Sequence, residues 1–89
     1  MRRWQVTVNY LKKSGRYHCD ISPMFYGGAV AFKETDTFAG MIPILRGFGY
    51  DDDSIAFVRH EVETTGVSTQ LNVDMSEDAA KTFGSVDAK

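Results

Sequence analysis

Apolar and polar residues alternate from the first turn of the chain. Trp4, Val6, Val8 and Tyr10 fall on one side, and Gln5, Thr7 and Asn9 on the other. A period of two marks a strand buried on one face. Lys12-Lys13-Ser14-Gly15 then supplies a polar turn in which Gly15 is free to take a positive φ. Alternation resumes over 16–22, with Tyr17, Cys19 and Ile21 inward and Arg16, His18 and Asp20 outward. Two alternating runs around a short polar turn predict a β-hairpin.

Pro23 closes the second strand, and Met24-Phe25-Tyr26-Gly27-Gly28 reads as a loop. Residues 29–33 read as a short third strand paired back on the second, or as an irregular approach to a helix. Phe38, Met41, Ile42, Leu45 and Phe48 then recur at helical spacing, with Thr35 or Asp36 as cap and Gly47 or Gly49 as stop. Pro43 removes the bond to the Ala39 carbonyl, which predicts a kink or a later start.

Beyond the polar Asp51-Asp52-Asp53 connection, alternation predicts a strand over 54–63. Ala56, Val58, His60 and Val62 lie on one face; Ile55, Phe57, Arg59, Glu61 and Glu63 lie on the other. Thr64-Thr65-Gly66 reads as a second hairpin turn. A last strand follows, with Val67, Thr69, Leu71, Val73 and Met75 alternating against Ser68, Gln70, Asn72 and Asp74. Ser76 suits the N-cap of a short closing helix docked by Ala79, Ala80 and Phe83. The whole predicts an α+β fold: two antiparallel hairpins form a sheet, packed on one face by a central helix and a short C-terminal helix. Residues 1–84 make the single domain and 85–89 a frayed tail.

Composition fits this picture. The 89 residues are 43% apolar and 25% charged, the balance of a globular domain. No apolar run approaches the roughly 20 residues of a membrane span, no leader pattern opens the chain, and one cysteine excludes an intrachain disulfide. The expectation is a soluble, cytoplasmic domain. The net charge of −2 conceals an asymmetry. Residues 1–19 carry five bases and no acid, whereas 20–89 carry five bases against twelve acids.

Candidate chemistry is sparse. In His18-Cys19-Asp20 successive side chains point to opposite faces, so Cys19 cannot meet His18 or Asp20 without a bulge. His18 and Asp20 share a face, yet two ligands do not make a metal site, and His60 points to the other layer. Three consecutive aspartates lack the ligand spacing of a calcium loop. His60-Glu61 has no second histidine at helical spacing, and the glycines match no phosphate-binding or dinucleotide fingerprint. No cofactor, metal or catalytic residue is assigned, and the chain is read as a binding domain rather than an enzyme.

Apolar residues outside the expected core give the leading functional expectation. Ile55 and Phe57 sit on a face otherwise charged, and Met24, Phe25 and Tyr26 crowd a loop. A contiguous apolar patch marks a contact site, and aromatics and methionine are enriched at interfaces. These five residues are expected to recognise a protein partner and to form a homodimer, with the basic hairpin orienting the encounter. An alternative is nucleic-acid binding, with Arg2, Arg3, Lys12, Lys13 and Arg16 on phosphates and Trp4, Tyr10 or Tyr17 stacking on bases. A third reading is a small-molecule binder or enzyme, with a pocket between helix and sheet reached past the 25–28 loop and lined by His60 or Tyr17.

Overall fold

A computed structural model describes residues 2–24 and 31–75. Within them the elements run β1 (Arg2–Leu11), β2 (Arg16–Pro23), β3 (Ala31–Thr35), α1 (Phe38–Gly47), α2 (Asp52–Thr65) and β4 (Val67–Met75). Four strands form one antiparallel sheet in the order β3-β2-β1-β4, with both helices on one side. The α+β class follows directly from the alternation. So does the first hairpin, whose register sets Val8 against Cys19 and Val6 against Ile21, with Gly15 at φ +71° in the turn. β3 pairs with β2, two residues further along than expected. The expected closing helix and the loop residues Phe25 and Tyr26 lie outside the described residues.

The helix α1 starts at Phe38, and its cap is Thr37 rather than Thr35 or Asp36; the Gly40 N–H donates to the Thr37 hydroxyl at 3.1 Å. Pro43 lies inside the helix. Both Pro43 and Ala39 are exposed, so the carbonyl that loses its partner faces water. Gly49, one of the two expected stops, takes φ +92° just past the end.

The segment expected as a strand over 54–63 is instead the helix α2. Its capping chemistry explains why. The Asp51 carboxylate accepts the Ser54 N–H at 2.8 Å, and Asp52 and Asp53 occupy the first turn at the positive end of the dipole. That hydrogen bond, before any other cause, holds the Asp51 carboxyl below the usual carboxylate range. Gly66, at φ +88°, closes the far end by donating its N–H to the Val62 carbonyl at 2.9 Å. Thr64-Thr65-Gly66 therefore ends a helix and does not turn a hairpin. β4 crosses the molecule to pair with β1.

The core lies between the helices and one sheet face. Trp4, Val6 and Val8 from β1 and Cys19 and Ile21 from β2 meet Phe38, Met41 and Leu45 from α1 and Ile55, Val58 and Val62 from α2. The helical spacing Ile55, Val58, Val62 puts three apolar side chains on one stripe, which a period of two divides between faces.

β4 inverts the expected alternation. Its register sets Ser68 opposite the inward Val8, and Thr69 opposite the outward Thr7, the two threonine hydroxyls lying 3.3 Å apart. Ser68 is thus 3% exposed, and its hydroxyl donates to Glu61 of α2 at 2.6 Å. A register shift opposite the Trp4–Val6 segment then returns Val73 to the core side. Val67 and Leu71 are left on the surface.

Candidate interaction site

Inverting β4 exposes an apolar edge. Leu71 is 56% exposed and lies beside a cleft of about 250 Å³ between β4 and the segment joining the two helices. Phe48, Tyr50 and Val73 give the cleft its apolar lining, and Ser54, Gln70 and Asp74 bring polar groups to it. Phe48 and Tyr50 are positioned by the end of α1, where the N–H groups of both donate to the Leu45 carbonyl at 3.0 and 3.1 Å. Arg46 pairs with Asp52 at 2.6 Å and ties the end of α1 to the start of α2.

Phe57 lies one turn beyond the cleft-lining Ser54 on α2. On α2 the residues Ser54, Phe57 and Glu61 follow one another at spacings of three and four, so they share a flank. Glu61 reaches Ser68 from that flank, which therefore looks along β4, whereas Arg59 on the opposite flank lies over the Phe38 ring of α1 at 5.3 Å. Phe57 is 53% exposed.

The other expected interface residues fare differently. Ile55 is 6% exposed and belongs to the core, because a helix carries it onto the stripe of Val58 and Val62. It is no part of a surface patch. Met24 is half-buried beside β1, its N–H donating to the Arg3 carbonyl at 3.2 Å; Phe25 and Tyr26 lie outside the described residues.

Among the basic residues, Lys12 and Lys13 stand exposed at the hairpin turn. Arg16 pairs with Glu34 and Asp36, and Arg3 lies 3.9 Å from Asp74. Trp4 is 3% exposed and offers no stacking surface. Tyr17 packs edge-on against Phe38 with centroids 5.8 Å apart, while Tyr10 is 39% exposed. Arg3 and Arg16 thus face carboxylates on an exposed surface, and of the three aromatics only Tyr10 is exposed.

Cys19 is fully buried, and burial above all pushes its thiol up to about 12. The thiol is a core group and not a nucleophile at neutral pH. His60 is exposed on α2 rather than turned into a layer, so neither it nor Tyr17 lines the cleft. Among the described residues, no group of three or more His, Cys, Asp or Glu side chains is placed to hold a metal ion. No described helix is long and apolar enough to cross a membrane.

Tyr50 carries a further mark. Its hydroxyl is buried with no hydrogen-bond partner among the described residues, and burial drives the phenol well above its usual range. A buried donor without a partner costs about 1–3 kcal/mol. Tyr50→Phe is therefore expected to stabilise the protein by about 1 kcal/mol, read as a higher urea midpoint at unchanged slope. A lower midpoint would mean that the hydroxyl has a partner in solution.

The fold and this edge define a two-layer α+β domain with an open cleft of mixed polar and apolar lining beside its last described strand. No known protein family matches the chain, and neither a curated protein nor a solved structure does.

Proposed function

We propose that this chain is a small recognition domain that binds a protein partner and self-associates, using the edge formed by Leu71, the Phe48–Tyr50 cleft and Phe57. The cleft carries this reading. Its volume of about 250 Å³ falls below the roughly 300–1,000 Å³ typical of small-molecule sites, and it is open rather than enclosed. That size and shape suit one or two apolar side chains from another protein, seated as an anchor within a polar rim. The exposed Lys12-Lys13 turn and the acidic start of α2 give the domain opposite poles, which favours oriented encounter at low salt.

Leu71→Glu and Phe57→Glu test the reading on exposed positions, where the fold tolerates the change within about 0.5 kcal/mol. Each variant is expected to keep the parent circular dichroism and to lose at least tenfold in self-association, the effect of an unpaired charge buried at a contact. Unchanged association in both folded variants would place the contact elsewhere.

A further inference from the structure

The sheet face away from the helices holds a histidine between two carboxylates. The register pairs His18 of β2 with Glu34 of β3, and Asp20 with Phe32. The His18 Nδ1 lies 3.0 Å from Glu34 Oε2, and Nε2 lies 3.4 Å from Asp20 Oδ2. Phe32 stacks on the ring, with centroids 5.0 Å apart and planes 18° from parallel. All three polar side chains are half-buried.

A neutral imidazole has one N–H and one lone pair. Either tautomer satisfies one carboxylate and turns its lone pair toward the other. Only the imidazolium carries an N–H toward each, hydrogen-bonded to Glu34 and at ion-pair distance from Asp20. The second oxygen of Glu34 is already engaged, 3.5 Å from Arg16 Nε, and Arg16 also reaches Asp36 just past β3. On the β1 side the facing residues are the neutral Asn9 and Thr7. Among the described residues, the charged groups around the ring are thus Asp20, Glu34 and Arg16, with Asp36 beyond.

We propose that β3 is held to β2 by a proton-dependent clamp, in which the His18 imidazolium ties the strands through Glu34 and its loss of a proton loosens β3. The sign follows from the charges. The cross-strand bond is fully charge-assisted while His18 carries both ring protons and weakens when the ring loses one. On the acid side it ends when Glu34 protonates, which the His18 hydrogen bond moves below the usual carboxylate range. The Arg16 pair with Glu34 persists as pH rises, so β3 loosens without being released.

NMR on the intact chain tests this directly. The His18 ring protons and the amide protection factors of residues 32–35 are followed from pH 5 to 8, with β1 amides as reference. Protection in β3 is expected to fall about threefold to tenfold over the same interval in which the His18 ring titrates, while β1 stays level. His18→Gln and Glu34→Gln are each expected to flatten that dependence. Level β3 protection while His18 titrates, or a dependence that survives in both variants, overturns the proposal.

Discussion

Leu45→Ala is expected to lower the free energy of unfolding by about 2–5 kcal/mol, the range for removing a buried leucine side chain. Leu45 is fully buried in α1, and its carbonyl anchors the chain reversal that presents Phe48 and Tyr50 to the cleft. A chain of this length has about 4–13 kcal/mol in all, so the loss is a large fraction of the total. Urea unfolding followed by circular dichroism reads it. A loss under 1 kcal/mol would mean that the helix layer does not pack on the sheet as described.

Ala56→Pro is expected to cost about 3 kcal/mol, because a proline in a helix interior removes a backbone bond and clashes with the preceding turn. Ala56 is exposed, so no packing is lost and the penalty reports backbone conformation alone. Proline at Asp52, the first helical position, needs no N–H there and loses little beyond the Arg46 pair. The two substitutions thus separate a helix over 52–65 from the strand that alternation suggests. Equal and small effects at both positions would contradict the helix.

The first hairpin was legible because two strands of strict alternation flank a turn with only one sensible reading, and both bury the face that the alternation marks. Residues 54–63 were ambiguous. Val58 and Val62 stand four apart, a spacing that fits either period, and Ala56 and His60 completed a false stripe. The discriminating signals were the Asp51 cap three residues before Ser54, the two acids behind it and Gly66 at the end. Those are end effects, weaker to the eye than a repeating pattern. Reading them would have moved Ile55 into the core and left Phe57 on the surface.

The cleft was hidden for a different reason. Its exposure of Leu71 depends on β4 pairing with β1 in a register that turns Ser68 inward, and on the shift that restores Val73. Alternation within β4 alone favours the opposite facing. Ser68 is accommodated because Glu61, seven residues earlier on α2, accepts the hydrogen bond of its hydroxyl. The pairing requires residues 52–65 to be helical, which alternation does not reveal. Phe57 is exposed in either conformation, because both a strand and a helix separate it from the inward Val58.

Self-association through the β4 edge is the central functional claim, and the absolute mass of the nucleic-acid-free protein tests it most directly. Light scattering across a dilution series in moderate salt is expected to give a mass near twice 9.9 kDa at the highest concentrations, falling toward 9.9 kDa on dilution. A mass of 9.9 kDa throughout would contradict self-association and leave the cleft to a different protein partner.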